Sequence, residues 1–275
     1  MSRPFVKMNG LGNDFVVVEA RSEPFRPTPE KVRAICDRNT GEGCDQLIAI
    51  ERSDHGAYMR VWNADGGQVE TCGNALRCVG WLLMQASGLD EAEIDTAGGM
   101  TRAFSAGERR VSVDMGEPRL AWTDIPLAEE MDTRGIELQI GPVDDPVLHT
   151  PGAVSMGNPH VVFFADREFD DAFVRGSGSL LEHHPLFPEG VNVGFARVLS
   201  PDRIRLRVWE RGAGLTRACG TGACAALVAA SRKGLTGRRA VLELDGGELE
   251  VEWREDGHVW MTGPVEVERT GTLNL

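Results

Sequence analysis

The sequence has no run of 18 consecutive apolar residues, so no segment is long enough to cross a bilayer as a helix. It has no cluster of basic residues, and its 29 Lys and Arg are outnumbered by 42 Asp and Glu, a formal net charge of −13. That balance repels nucleic acid and anionic membranes, so neither is an expected partner. Met1-Ser2-Arg3-Pro4-Phe5-Val6-Lys7-Met8-Asn9-Gly10 carries no long apolar core and no cleavage pattern, so no signal peptide is expected. Cysteine is sparse, at six residues in 275, too few for a disulfide framework in a chain of this length. Cys36, Cys44, Cys72, Cys78, Cys219 and Cys224 are therefore expected as reduced thiols in a cytoplasmic protein.

What is present is enough apolar residue, 41%, to build a core, and length for one large domain or two of medium size. The chain also repeats itself. Gly12-Asn13-Asp14-Phe15-Val16-Val17-Val18 echoes Gly157-Asn158-Pro159-His160-Val161-Val162-Phe163. Arg60-Val61-Trp62 recurs as Arg207-Val208-Trp209, and Cys72-Gly73-Asn74 as Cys219-Gly220-Thr221. The last two share one offset, 209 − 62 = 219 − 72 = 147. Gln46 and Asn192 are amides at nearly the same distance. Gly-Asn turns are common, but three echoes in one order are not. They imply two similar halves related by a pseudo-two-fold axis, with equivalent residues on the two sides of a cleft.

Local signals agree with this division. Phe15–Glu19, Asp45–Glu51, Tyr58–Asn63 and Ile204–Glu210 read as strands. Thr28-Pro29-Glu30 reads as an N-cap with Pro at the first helical position, starting a helix through Asp37. A Gly-rich loop leads from the Trp strand to each Cys-Gly pair. A helix follows each pair, from about Gly73 to Gln85 and from about Gly220 to Lys233; the second is rich in Ala and suited to a buried position. Arg110–Asp114, Val241–Leu244 and Leu249–Trp253 read as short strands. The expected fold is a mixed α/β protein of two pseudo-symmetric, strand-rich domains. Each domain wraps a central helix, with the active site in the cleft between them.

A cysteine at a helix N-terminus meets the positive end of the backbone dipole, which is expected to lower its pKa. The first-turn N–H groups lack helical partners and can hold a carboxylate. Two such ends imply a reaction in which one thiolate removes an α-hydrogen and the other thiol returns a proton to the opposite face. The α-hydrogen is less acidic than a thiol by on the order of twenty pKa units, or ~27 kcal/mol. Donors prearranged on the carboxylate must lower that barrier, in a site without water. This is general acid–base catalysis with no cofactor, no metal and no covalent intermediate.

At these residues the chain resembles the diaminopimelate epimerase family. The motifs are Met8-Asn9-Gly10-Leu11-Gly12-Asn13-Asp14-Phe15, Asp45-Gln46-Leu47, Asn63-Ala64-Asp65-Gly66, Cys72-Gly73-Asn74, Gly157-Asn158-Pro159-His160, Val191-Asn192-Val193, and Glu210-Arg211-Gly212-Ala213-Gly214 through Ala218-Cys219-Gly220-Thr221-Gly222. The resemblance implies conversion of LL-2,6-diaminopimelate to its meso isomer without pyridoxal phosphate, serving lysine and peptidoglycan-precursor synthesis. It implies domains of residues 1–117 with 265–275 and of residues 118–264, a C-terminal strand around Val265–Thr270 returning to the first domain, and a homodimer. It implies Cys72 and Cys219 as the catalytic pair. Gly73, Asn74, Gly220 and Thr221 hold the reacting carboxylate, and Asn13 and Gln46 line the reacting end. Asn63, Asn158, Asn192 and Arg211 grip the distal carboxylate, and Glu210 the distal ammonium. His160 and Glu210 are candidates for tuning the thiols. Asn9, where His is usual, Ala75 in place of Gly, and Leu215 and Arg217 depart from the family pattern.

Other readings remain for the same residues. Cys36, Cys78 and Cys224 are expected to pack in the core, and Cys44 to pack near the cleft. Zinc is disfavoured because the Cys72/Cys78 and Cys219/Cys224 spacings are long and no His-rich segment accompanies them. A Cys72–Cys219 disulfide would be an inactive oxidised form. His183-His184, Arg109-Arg110 and Arg238-Arg239 read as solvated surface. A proline or hydroxyproline racemase is the nearest enzymatic alternative. A non-catalytic amino-acid-binding or thiol-redox protein is the alternative of another class.

Overall fold

The computed structural model describes residues 2–69 and 72–274. The chain divides into two compact units, residues 1–114 with 262–275 and residues 115–261.

The first unit contains β1 (Ser2–Asn9), β2 (Asp14–Ala20), α1 (Pro29–Cys36), β3 (Gln46–Ser53), β4 (Gly56–Asn63), β5 (Gln68–Val69), α2 (Gly73–Ser87), β6 (Glu91–Thr96), β7 (Gly99–Ser105) and β8 (Arg110–Asp114). The Val-rich β2 is central. It pairs antiparallel with β1 and parallel with β3, and both its faces are covered, so it reads as a continuous apolar run. Thr28 caps α1 through Lys31 N. The α2 helix is buried around nearly its whole circumference and ends at Gly88 in the left-handed conformation, with the Gly88 N–H bonded to Met84 O. Gly80 lets α2 sit against β7: a Cβ there would lie 2.5 Å from the Ala103 methyl.

The second unit contains β9 (Gln139–Ile140), β10 (Leu148–His149), β11 (Gly152–Ser155), β12 (Pro159–Phe164), α3 (Asp171–Glu182), β13 (Asn192–Ser200), β14 (Arg203–Glu210), β15 (Gly214–Thr216), α4 (Gly220–Arg232), β16 (Arg239–Leu244) and β17 (Gly247–Trp253). Ten residues of α4 are buried, mostly Ala and Gly, so the sheet approaches the helix closely. Gly152 shows how closely, since a Cβ there would lie 2.9 Å from the Ala229 methyl. The core beside it is aromatic, with Phe163, Phe169 and Phe195 buried together. Each such ring contributes roughly 1.5–3 kcal/mol by leaving water. Strand β18 (Val259–Pro264) carries the chain across the division. Strand β19 (Glu266–Asn274) then pairs antiparallel with β1, so the C-terminal strand lies in the first unit.

The echo in the sequence is an echo in strand register. In the first unit β2 and β3 run parallel with Phe15 opposite Gln46; in the second β12 and β13 run parallel with His160 opposite Asn192. Val61 faces Val69 as Val208 faces Thr216. Ala57 faces Ile94 in a parallel pair, as Ile204 faces Leu242. The segments before the cysteines, expected as plain Gly-rich loops, contain the short return strands β5 and β15.

Several elements carried no clear sequence signal, among them β1, β6, β7, α3, β12 and β13. The α3 segment holds two glycines within Asp171–Glu182, which mask its helical period. Among the described residues, no helix is long and apolar enough to cross a membrane.

Candidate active site

Each unit gathers polar side chains at one end of its sheet. The strand register places Gln46 at the start of β3 opposite Asn63 at the end of β4, with Asn13 just before β2. In the second unit Pro159-His160 start β12, Asn192 starts β13 and Glu210 ends β14. The buried helix of each unit begins immediately after its cysteine, which occupies the N-cap in extended conformation.

In the first unit Cys72 is half-buried, and its Sγ lies 3.7 Å from Asn13 Oδ1. The direction of the Asn13 amide is set from behind. Its Nδ2 donates to Asp45 Oδ2 at 2.8 Å, so its oxygen faces the thiol. Asp45 is held in turn by Arg38 at 2.6 Å, and Arg38 also forms a two-point bond with Asp14. Gln46 Nε2 donates to Asn63 Oδ1 at 2.9 Å, while the buried Gln46 Oε1 has no donor among the described residues. That oxygen is an acceptor awaiting an ammonium or amide N–H. Asn74 is buried, and its Oδ1 accepts from Arg77 Nη1 at 3.0 Å. Its side chain is thus turned into the helix, leaving the first-turn backbone for any carboxylate.

In the second unit Cys219 is buried, and its Sγ accepts from Gly222 N at 3.3 Å. Thr221 Oγ1 lies 3.6 Å from the same sulfur, 3.0 Å from His160 Nε2 and 3.3 Å from Asn158 Nδ2. His160 Nε2 also lies 3.0 Å from Asn158 Oδ1. Burial, with the charge of Arg211, pushes His160 down to about 3, so the ring is neutral. Glu210 accepts from Thr216 Oγ1, and burial raises its carboxyl above the usual range.

Cys219 departs from the expectation of a helix-lowered thiol. Burial first, then the charge of Glu210, pushes it well above the ordinary thiol range; the bonds from Thr221 and Gly222 pull the other way without prevailing. The two cysteines also sit differently on their helices. A Cβ at Gly222 would press on Cys219 Sγ at 3.1 Å. Ala75 stands at the equivalent place in the first helix, one 147-residue offset earlier, and it carries that Cβ. The departure at Ala75 thus coincides with a sulfur directed at Asn13 instead of back onto its own helix.

Of the remaining candidates, Asn192 is bonded at both ends. Its Nδ2 donates to Pro159 O at 2.8 Å, and its Oδ1 accepts from Arg211 N at 2.9 Å. It therefore orients the Arg211 backbone. The exposed Arg211 guanidinium donates to Glu189 O at 2.7 Å. Gly73 and Gly220 are buried in the first turns of their helices. Two supporting carboxylates escaped the sequence reading. One is Asp45, which sets Asn13. The other is Glu182, whose two oxygens accept from Trp209 Nε1 at 2.7 Å and Gly212 N at 2.8 Å and so fix the turn that carries Glu210 and Arg211. Asp45 was visible only as part of Asp45-Gln46-Leu47. Glu182 was invisible because it ends the unrecognised α3.

Cys36, Cys78 and Cys224 are buried core residues, and burial raises Cys78 up to about 12. Cys44 packs against Cys36 with sulfurs 3.4 Å apart. Arg109, Arg110, Arg238, Arg239 and His183 are exposed. Among the described residues, no group of three or more His, Cys, Asp or Glu is placed to hold a metal ion.

Comparison with known proteins follows the same duplication. A family model described as "Diaminopimelate epimerase" matches residues 5–121 and again residues 152–268, two matches that begin 147 residues apart (152 − 5). The diaminopimelate epimerase of Caulobacter sp. strain K31 is 61% identical over 283 residues, covering 99% of this chain and 98% of that protein. A phenazine biosynthesis PhzF-family protein from Enterococcus faecalis superposes with a TM-score of 0.72 at 16% identity, covering 100% of both chains. A hydroxyproline epimerase from Agrobacterium vitis, solved with trans-4-hydroxy-L-proline, superposes with a TM-score of 0.70 at 15% identity, covering 99% of this chain and 91% of that one. The last two likenesses concern the fold alone.

Proposed function

Because the chain belongs to the diaminopimelate epimerase family, we propose that it interconverts LL-2,6-diaminopimelate and meso-diaminopimelate in lysine biosynthesis. The reaction is a proton transfer between Cys72 and Cys219 without pyridoxal phosphate. The observation that carries this reading is the placement of one cysteine at the same register position in each half. Each stands at the N-cap of a buried helix beside a set of amides at the same end of its sheet. Duplication supplies one acid–base group for each face of a planar carbanion. The reading requires both sulfurs to address one α-carbon from opposite sides.

The roles follow from chemistry. First-turn N–H groups at Gly73, Asn74, Gly220 and Thr221 stabilise the reacting carboxylate as its charge grows. Asn13 and Gln46 hold the reacting ammonium end; the undonated Gln46 Oε1 suits an N–H donor. Asn63, Asn158 and Arg211 take the distal carboxylate, with Asn192 setting the Arg211 backbone. Glu210 lies beside Cys219 and acts on that thiol, and its carboxylate also suits the distal ammonium. A second amino-acid head explains this polar set better than a one-headed proline substrate. The 15% identity to a hydroxyproline epimerase extends only to fold. We further propose a cytoplasmic homodimer.

The test is turnover of LL-diaminopimelate, with L-proline as control and no cofactor added. The expected result is epimerisation of the first only, with Cys72→Ala and Cys219→Ala each abolishing it while the circular dichroism of the fold is kept. Full activity in either variant contradicts the assignment.

A further inference from the structure

Thr221 occupies a junction that carboxylate binding alone does not explain. Its hydroxyl oxygen is within reach of three groups: Asn158 Nδ2 at 3.3 Å, His160 Nε2 at 3.0 Å and Cys219 Sγ at 3.6 Å. A hydroxyl has one proton to give and two lone pairs to receive with. Asn158 presents its amino group to Thr221 and its oxygen to His160 Nε2. An amide oxygen only accepts, so His160 Nε2 carries the hydrogen. The ring is buried and uncharged, and its Nε2–H is shared between Asn158 Oδ1 and Thr221 Oγ1. His160 Nε2 and Asn158 Nδ2 therefore both donate to Thr221 Oγ1, which leaves the hydroxyl proton for the remaining contact, Cys219 Sγ.

We propose that Thr221 is a catalytic residue for the base form of Cys219: its hydroxyl donates to the thiolate, and His160 and Asn158 are positioning residues that fix the direction of that donation. The proposal rests on the two-cysteine reading given above. It gives His160 a role as an uncharged orienting group rather than a proton acceptor. Glu210 on β14 bears directly on Cys219, and the titratable His160 on β12, which reaches it through Thr221, itself feels the charge of Arg211. Glu210 opposes the thiolate, while Thr221 Oγ1 and Gly222 N support it. Loss of one hydrogen bond to a charged sulfur lowers kcat/KM by on the order of tenfold to a hundredfold.

The test measures epimerisation kinetics with both cysteines present and, in the Cys72→Ala background, the pH dependence of Cys219 alkylation, with Thr221 kept, changed to Val (Thr221→Val) or changed to Ser (Thr221→Ser). The expected result is a Cys219 ionisation profile displaced upward by about one pH unit in Thr221→Val, with the Cys72 profile, read in the Cys219→Ala background, unmoved. Thr221→Ser restores it. His160→Phe reproduces the shift and His160→Gln, which keeps a donor, does not; this pair decides the matter if Thr221→Val fails to fold. A raised KM with an unmoved Cys219 profile, or an equal shift of both thiols, overturns the proposal. Absence of any epimerisation by the wild type instead overturns the reading on which it rests.

Discussion

Cys72 and Cys219 hold the same position in two halves that share a strand register, yet their sulfurs meet different partners. Cys72 is half-buried and faces an amide oxygen, Asn13 Oδ1, which Asp45 turns toward it. Cys219 is buried, accepts Gly222 N, lies near the Thr221 hydroxyl, and has Glu210 beside it. An acceptor facing a thiol favours its protonated form; donors favour the thiolate; a buried carboxylate opposes it. Duplication therefore fixed where the two groups stand, while substitution around them fixed how each holds its proton. The lesson is that a pseudo-symmetric frame does not make its two reactive groups equivalent.

The largest test of this contrast is Glu210→Gln. It removes the negative neighbour that helps push Cys219 up, so the thiol should ionise at lower pH. Turnover should nevertheless fall by on the order of a hundredfold or more, because an acid–base partner is lost. Alkylation of Cys219 as a function of pH, with Cys72 replaced by Ala, reads the first effect; an unmoved profile would remove Glu210 from the thiol's surroundings.

A smaller effect is expected on the other side. Asp45→Asn deprives Asn13 Nδ2 of its anionic acceptor and lets the amide turn its amino group toward Cys72. Cys72 should then alkylate faster at neutral pH, with turnover down about tenfold, the worth of one charge-assisted hydrogen bond. Cys219 should be unaffected. A change in both thiols would break the independence of the two sets.

Glu182→Gln gives the smallest loss of activity and a clear loss of stability, about 1–3 kcal/mol. An amide must aim its NH2 at one of two groups that are themselves donors, Trp209 Nε1 and Gly212 N. Burial opposes the Glu182 charge, but those donors hold its carboxyl below the usual range. Its stabilisation is therefore present above the unfolded carboxyl's pKa and is lost as pH falls through the lower folded value. Urea midpoints of wild type and variant should differ at neutral pH and converge in acid; a constant gap would contradict this role.

Most of the frame was legible because each signal was local. Thr28-Pro29 marked a helix start, Val-rich runs marked strands, and the Ala-rich stretch after Cys219 marked a buried helix. The repeat located both cysteines without any knowledge of contacts. What stayed hidden was set by distance in sequence. Asn13 is oriented from Asp45, and the Glu210–Arg211 turn from Glu182, and no local pattern records either. The raised Cys219 thiol was missed for the same reason. The helix dipole is readable from spacing, but full burial beside a carboxylate is not.

The most direct measurement follows deuterium from heavy water during the earliest turnovers of LL-diaminopimelate. Two opposed thiols predict solvent deuterium at the inverted carbon of nearly every meso product, while the remaining LL substrate stays unlabelled. Product that retains the original α-hydrogen would mean a single group working on both faces, and would contradict the account.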